Sequence, residues 1–184
     1  RQSGLIALTT DLEDLLIDAK LTSGSCDVFI ATNEGMSIRF NEGDVRGMGR
    51  TARGVKGITL GKNDKVIGMA VFPKNCEDTV LIVTEGGYGK RTPMSEYRVQ
   101  SRGGVGIITQ KTTDKVGKVI SARRVHQTDD VMITTNEGQS IRMKCSDIST
   151  FGRNTQGVRL INLKSGERVT GVAVLGPDEE EDKS

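Results

Sequence analysis

The order of apolar and polar residues along the chain predicts short strands joined by tight turns. Short apolar runs form the centres of DVMITT from Asp130 and of TVLIVT from Thr79. An Asn-Glu-Gly turn follows the first run and a Glu-Gly-Gly turn follows the second, which is typical of β-hairpins. No segment shows the 3.6-residue apolar period of a helix. The pattern therefore predicts an all-β fold.

A hairpin of this kind occurs three times at a spacing of about 50 residues. Each copy has an apolar strand, a glycine turn and a second strand that ends in arginine. The copies are DVFIATNEGMSIRF from Asp27, TVLIVTEGGYGKRT from Thr79 and DVMITTNEGQSIRM from Asp130. The aligned arginines are Arg39, Arg91 and Arg142, and the turn geometry is assigned to Gly35, Gly86 and Gly138.

Two other kinds of segment recur with the hairpins. One is a basic loop that leads into a glycine-led strand. Its copies begin at Arg50, Ser101 and Arg153, with a truncated copy at Arg1. The aligned glycines of the four copies are Gly4, Gly54, Gly104 and Gly157. The other is a short apolar strand that begins at Leu15, Lys65, Lys118 and Arg168. Four short strands in each period of about 50 residues are typical of a propeller blade. The pattern therefore predicts about three and a half blades, so that three to four blades lie in this chain.

Composition narrows the classes of site that this fold could carry. The chain has 23 Gly but only 3 Pro and 3% aromatic residues, which suits frequent tight turns and an aliphatic core. Three cysteines without a CxxC pair and one histidine, His126, support neither a zinc site nor a disulfide framework. The odd thiol count and the lack of a long apolar run predict a cytoplasmic protein without a membrane span.

The formal charge of +2 combines a basic body with an acidic end. Residues 178–184 contain five acids and one lysine, so the rest of the chain carries a net charge of about +6. We expect residues 177–184 to form a disordered acidic tail and residues 1–176 to form the repeat domain.

Three motifs carry a resemblance to a known family. They are GRTARGVKGI from Gly49, GGYGKRTPMSEYRVQSRGGVGI from Gly86 and FGRNTQGVRLI from Phe151. In this order they resemble successive repeats of the C-terminal domain of bacterial DNA gyrase A subunits. The resemblance implies a β-pinwheel, a disc of four-stranded blades that exchange strands with their neighbours. It also implies that a basic rim binds, bends and wraps double-stranded DNA without reading its sequence.

The same resemblance implies the wider assembly. One implied partner is double-stranded DNA. The others are the rest of the gyrase A subunit and the gyrase B subunit, which together form a heterotetramer, a type IIA topoisomerase. ATP and Mg²⁺ would bind elsewhere in that enzyme, so we expect no cofactor and no catalytic residue in this chain. The family's basic box, Q-[RK]-R-G-G-[RK]-G, is matched imperfectly by Gln100–Gly106, because Ser101 and Val105 occupy two basic positions. We expect the true box upstream of Arg1.

Basic residues cluster in the recurring loops and give the predicted DNA-binding set. Duplex DNA carries evenly spaced charges, so a repeated cationic surface suits sequence-independent binding through counterion release. The set is Arg46, Arg50, Arg53, Lys56, Lys90, Arg91, Arg98, Arg102, Arg142, Lys144, Arg153 and Arg159. An alternative for the strand-end arginines is pairing with an acid of the next blade. Tyr88 and Tyr97 are expected to pack or lie on the rim, not to act as nucleophiles.

Two other functions remain open from the sequence. The C-terminal domain of the topoisomerase IV A protein is related in fold and has degenerate boxes. A kelch-like interaction propeller has a similar period, but its paired glycines would recur at one position in each repeat, and a protein partner would not require periodic arginine and lysine.

Overall fold

A computed structural model describes residues 4–11 and 13–176 of the chain. The described residues form β-strands and three short 3₁₀ turns, and no α-helix occurs among them. The strands are β1 (Asp27–Thr32), β2 (Met36–Asn41), β3 (Val66–Phe72), β4 (Thr79–Thr84), β5 (Tyr88–Pro93), β6 (Ile107–Ile108), β7 (Val119–Val125), β8 (Asp130–Thr135), β9 (Ser140–Lys144), β10 (Val158–Arg159) and β11 (Val169–Leu175). The prediction of an all-β fold is confirmed.

Each of three antiparallel sheets is built around one of the predicted hairpins. The strand orders are β3-β1-β2-β6, β7-β4-β5-β10 and β11-β8-β9. The short apolar segments that begin at Lys65, Lys118 and Arg168 thus supply the inner strand of each blade, beside the first strand of the hairpin. Gly35 and Gly138 occupy the left-handed turn position with φ of 86° and 81°. In the middle hairpin Gly87, at φ 78°, takes this position, so the assignment to Gly86 was wrong by one residue.

The outer strand of each four-stranded blade comes from the following repeat. Strand β6 pairs with β2, and β10 pairs with β5, so the strand exchange implied by the family resemblance is present. Each donated strand follows a glycine with positive φ, Gly106 or Gly157. A Cβ on Gly106 would lie closer than 3.0 Å to the Ser37 carbonyl oxygen, which only a glycine avoids. The equivalent of Gly157 is therefore Gly106, and the sequence alignment through Gly104 was wrong by two residues.

Three predicted strands do not form among the described residues. The segments from Gly4 to Thr10, from Leu15 to Leu21 and from Gly54 to Leu60 are irregular, although later copies of each kind are strands. A short strand requires the edge of a sheet to pair with, and none of the described strands pairs with these three segments. The described chain therefore has two four-stranded blades and one three-stranded blade, within the predicted three to four.

The core lies between neighbouring blades, and the central strand β4 faces both sides. Val80 and Ile82 pack toward the first blade, whereas Leu81 and Val83 pack toward the third. A strand with apolar neighbours on both faces needs a continuous apolar run, which explains the sequence of β4. Strand β8 has a covered face and an open face, and its burial alternates residue by residue. Burial on both faces of β4 and on one face of β8 thus reflects the position of each blade in the row.

Half of the six aromatic side chains meet between the first and second blades. The Phe29 ring packs edge-on against Phe72 and Tyr97, with centroid distances of 6.4 and 4.9 Å. Tyr97 is 1% exposed, and its hydroxyl group lies 2.6 Å from the Thr109 hydroxyl oxygen. Tyr97 therefore links the end of the second hairpin to the core between the first and second blades. This agrees with the expectation that Tyr97 packs or lies on the rim.

Candidate nucleic-acid interface

The predicted basic residues fall mainly on three equivalent stretches, here called the rim connections, which span residues 45–60, 97–110 and 148–161. Each follows a 3₁₀ turn at the end of a hairpin, and the second and third lead into the donated strands β6 and β10. Donated strands form the outer edge of their sheets, so the rim connections follow the outside of the blades. The residues of the predicted set on them are Arg46, Arg50, Arg53, Lys56, Arg98, Arg102, Arg153 and Arg159.

One arginine recurs at the same place in all three rim connections. It is Arg50 in the first, Arg102 in the second and Arg153 in the third. Nη1 of Arg102 donates to the carbonyl oxygen of Lys56 at 2.5 Å, and Nη1 of Arg153 donates to that of Ile108 at 3.2 Å. Arg102 and Arg153 thus each tie their own rim connection to the preceding one. The three rim connections form one linked outer surface.

Other basic side chains on this surface are exposed to solvent. Arg46 and Arg98 each follow a 3₁₀ turn at equivalent positions, and both are exposed. Lys56 and Arg159 are also exposed. Arg53 is exposed but forms an ion pair with Asp11 at 3.3 Å. The linked surface therefore repeats its positive charges at the spacing of the blades.

The strand-end arginine of the first hairpin has a structural role. Arg39 donates from Nε and Nη2 to Oδ2 of Asp27 at 2.8 and 2.5 Å, so its acid belongs to its own blade and not to the next one. Its Nη1 donates to the carbonyl oxygens of Met94 and Tyr97 in the next blade at 2.8 and 2.9 Å. The sequence interpretation was therefore right that this side chain joins neighbouring blades, and wrong about the partner that the next blade supplies.

The later strand-end residues differ in their exposure. Nε of Arg91 donates to the carbonyl oxygen of Ile148 in the next blade at 2.8 Å, which repeats the contact of the first hairpin. Nε of Arg142 bonds Asp130 at 2.6 Å, and the arginine side chain is 46% exposed. Lys144 is exposed at the end of β9. Arg142 and Lys144 thus remain accessible candidates, whereas Arg91 is largely engaged in joining blades.

Lys90 is not on the surface, and this corrects its place in the predicted set. The residue is 0% exposed. Its Nζ donates to the carbonyl oxygens of Gly152, Arg153 and Thr155. The sequence GKRT suggested a surface pair of cations, but the strand alternation turns Lys90 inward. A fully buried ammonium group cannot contact a phosphate.

The inner strands carry cations that are paired with acids. Arg123 lies 3.6 Å from Asp18, and Arg124 lies 2.9 Å from Asp78. Both arginines line a pocket of about 830 Å³ beside β3 and β11. Lys20 also lines this pocket and shares Asp18 with Arg123, so two carboxylates offset part of the charge of three cations. The rim arginines Arg102 and Arg153 instead bond uncharged carbonyl groups, which offset none of their charge. The electrostatics therefore favour the rim as a surface for a polyanion.

Sequence reasoning missed a basic residue beside the rim. Lys115 lies with its Nζ 5.4 Å from the centroid of the Tyr88 ring, and the Arg159 guanidinium lies 5.5 Å from the same ring. Nη2 of Arg159 also bonds the Tyr88 hydroxyl group at 3.0 Å, and this bond and the two cations lower the pKa of Tyr88. Lys115 belongs to a polar turn outside the recurring basic loops, so the repeat pattern gave no signal for it.

The repeats of the structure coincide with a known family. The family model described as DNA gyrase C-terminal domain, beta-propeller, matches residues 27–73, 78–126 and 129–175, one match for each blade. The chain belongs to the DNA gyrase C-terminal domain family. This membership confirms the resemblance carried by the three motifs, and it favours that family over a kelch-like propeller.

Similar proteins agree with this membership. The DNA gyrase A subunit from Staphylococcus aureus strain MRSA252 is 46% identical over 181 residues, which is 98% of this chain and 20% of the relative. The chain thus spans about a fifth of the length of the curated relatives it matches. A solved DNA gyrase A C-terminal domain superposes with a TM-score of 0.80 at 26% identity, covering 94% of this chain and 58% of that one. The C-terminal domain of DNA topoisomerase IV superposes with a TM-score of 0.86 at 20% identity, covering 92% and 53%, which shows a shared fold.

Other kinds of site find little support in the described residues. Within residues 4–11 and 13–176, no three His, Cys, Asp or Glu side chains are grouped so that they could hold a metal ion. The same residues include no helix with the length and apolarity to cross a membrane. Burial raises the pKa of the Cys145 thiol to about 11, so this cysteine stays protonated and unreactive near neutral pH. The predicted acidic tail, residues 177–184, lies outside the described residues.

Proposed function

We propose that this chain binds, bends and wraps double-stranded DNA as the C-terminal region of a DNA gyrase A protein. In this role it would support ATP-dependent negative supercoiling by a type IIA topoisomerase that also contains the rest of the gyrase A protein and the gyrase B protein. The reaction itself would take place elsewhere in the enzyme, in the cytoplasm. The observation that carries the proposal is the linked outer surface, on which equivalent arginines repeat from blade to blade.

The geometry supports wrapping more than binding at a single point. A duplex that follows the outer edge meets a new group of cations at each blade, and each phosphate contact releases counterions. Bending a site of 20–30 base pairs by 40–90° costs on the order of 1–6 kcal/mol, so several contacts are needed to offset it. Arg102 and Arg153 bond to the preceding rim connection, which fixes the spacing of these groups. Fixed spacing favours one curvature of the DNA.

Binding to a mixed-sequence duplex across a salt series, with energy transfer between the DNA ends, tests the proposal. We expect affinity to fall steeply with salt and the ends to approach each other. The double variant Arg46→Ala/Arg98→Ala removes two exposed rim cations. Since each phosphate contact contributes about 0.9 to the slope of log K against log salt, the slope should become shallower by about 2.

A control of equal charge separates a defined surface from general electrostatics. Lys62 and Lys74 are exposed in the turns at the two ends of β3, outside the rim connections. The double variant Lys62→Ala/Lys74→Ala changes the net charge by the same amount and should leave both slope and bending unchanged. Equal losses in the two double variants would contradict a rim interface, and no binding by the unaltered protein at low salt would contradict the proposed function.

A further inference from the structure

One buried charge lies directly beneath the outer surface, at the junction of the second and third blades. Lys90 occupies the position that Ile38 holds in the first hairpin and Ile141 in the third. Ile38 and Lys90 are both 0% exposed, so the same interior position holds an alkyl side chain in one blade and an ammonium group in another. Burial of a cation is costly unless polar groups surround it. Its surroundings therefore indicate what the lysine does.

The ammonium group is surrounded by oxygen atoms of the third rim connection. Nζ of Lys90 lies 3.0 Å from the Gly152 carbonyl oxygen, 2.5 Å from that of Arg153, and 3.0 Å from both the carbonyl and the hydroxyl oxygen of Thr155. All four partners are uncharged, so the side chain adds a net positive charge under the loop. Burial lowers the pKa of Lys90 to about 8, which leaves the ammonium form dominant at neutral pH.

The loop above this position changes together with it. Above Ile38 lies Gly104, and a Cβ on that glycine would lie 3.7 Å from Cδ1 of Ile38. Above Lys90 the equivalent loop residue is Thr155, whose hydroxyl group accepts from Nζ and donates to the Gly152 carbonyl oxygen at 2.9 Å. The first junction thus has an apolar side chain, Ile38, beneath a glycine, whereas the second has a hydrogen-bond donor, Lys90, beneath an acceptor, Thr155. At this position the first junction is held by packing and the second by hydrogen bonds.

We propose that Lys90 is a positioning residue that anchors the loop 152–155 to the second blade and so fixes Arg153 on the outer surface. Three residues of the loop bond one buried ammonium group, which leaves the loop little freedom to move away from β5. This role rests on the proposed DNA binding, because fixing Arg153 matters only if the outer surface contacts DNA. Lys90 itself touches no DNA and acts through the loop.

Amide hydrogen exchange of the full-length protein without DNA tests the anchor. The amide of Lys111 donates to the Thr155 carbonyl oxygen at 3.1 Å, so its exchange reports on the loop. In Lys90→Met we expect peptides that contain this amide to exchange about tenfold faster, since the loop loses its charged donor. The equivalent amide of Thr59, which donates to Gly104 at 2.8 Å, should be unchanged and serves as the internal control.

A second variant keeps the test decisive if Lys90→Met fails to fold. Thr155→Val removes one acceptor of the ammonium group while keeping the lysine and its charge. We expect a smaller acceleration at Lys111 and, again, none at Thr59. Unchanged exchange at Lys111 in a folded variant overturns the anchor, and equal acceleration at both amides shows general destabilisation and overturns it too.

DNA binding in the same salt series distinguishes positioning from contact. In Lys90→Met we expect about three- to tenfold weaker binding with an unchanged salt slope, because no phosphate contact is removed. In Arg153→Ala we expect the slope itself to become shallower by about 0.9. A shallower slope or unaltered affinity in Lys90→Met overturns the role of Lys90 in DNA binding. If the unaltered protein binds no DNA, the proposed function fails, while hydrogen exchange still decides whether Lys90 holds the loop.

Discussion

The donation of β6 to the first blade depends on Gly106, and replacing this residue by alanine tests that dependence. Its φ of 78° places the residue in the left-handed region, where a side chain costs about 1–2 kcal/mol. The added Cβ would also approach the carbonyl oxygen of Ser37 to less than 3.0 Å, and that oxygen belongs to the backbone of β2. The donated strand β6 would have to move away from β2 to relieve this contact.

Moving β6 adds a second loss to the conformational cost. Its two pairings, Ile107 with Ser37 and Ile108 with Met36, would be weakened, and each lost backbone hydrogen bond costs about 0.5–1.5 kcal/mol. The summed loss in the free energy of unfolding is about 2–5 kcal/mol. Gly138 provides a matched control, because its φ is 81° but no atom lies within 4 Å of a Cβ built there. Gly138→Ala should therefore cost only the conformational term of about 1–2 kcal/mol.

Equilibrium unfolding in urea, followed by two spectroscopic probes, measures both variants. Gly106→Ala should lower the free energy of unfolding by about 1–3 kcal/mol more than Gly138→Ala. Similar losses in the two variants would refute the reasoning, because they would mean that the contact with β2 adds nothing to the cost of positive φ.

Three further predictions concern side chains that join the blades or hold their turns. Arg39→Met should destabilise the chain by about 2–4 kcal/mol in urea unfolding, because it leaves the buried Asp27 carboxylate without its arginine partner. Arg53 is exposed, so Arg53→Met should cost less than about 0.5 kcal/mol. Similar values for the two variants would contradict the joining role of Arg39. Tyr97→Phe should cost about 1–2 kcal/mol through loss of the bond to Thr109, and a double-mutant cycle with Thr109→Val that shows no coupling would count against that bond. The Glu167 carboxylate accepts from the Lys164 amide and the Thr135 hydroxyl group, and these bonds lower its pKa below the ordinary 4.5. Its contribution to stability is therefore complete above pH 4.5 and is lost as pH falls through the lower native pKa. Glu167→Gln should flatten this part of the acid unfolding curve. An unaltered curve would contradict the assignment.

Local patterns in the sequence predicted the hairpins because hairpin formation depends on neighbouring residues. The glycine turns and apolar runs of β1, β4 and β8 each lie within one short segment, and the structure confirms all three. The donated strands were harder, since the pairing of β6 with β2 joins segments in different repeats and leaves no local trace. This is why the sequence alignment selected Gly104, the more regular match by motif, although the contact with Ser37 requires glycine at position 106.

The basic residues show where composition stops being informative. In the sequence, Lys90 and Arg91 look like two equivalent cations, but strand alternation sends the lysine inward and the arginine toward the next blade. A signal was present, because Ile38 and Ile141 occupy the same repeat position as Lys90 and indicate a buried site. Arg39 bonds backbone carbonyl oxygens of the next blade, and because every residue has a carbonyl group, the residue type does not mark such a partner. The joining roles of these side chains could therefore be found only from the structure.

Strand donation also determines when each blade can be completed during synthesis. The first hairpin and β3 are released from the ribosome well before β6, because residues 107–108 belong to the next repeat. At translation rates of about 5–20 residues per second, the edge of β2 waits roughly 3–14 s for its partner, whereas a hairpin forms within about 10 μs. The nascent chain thus carries at least one open outer edge from blade to blade as translation proceeds, and two while the next hairpin is complete but the donated strand has not yet been made. A ribosome that pauses between repeats prolongs the exposure of that edge to other nascent chains.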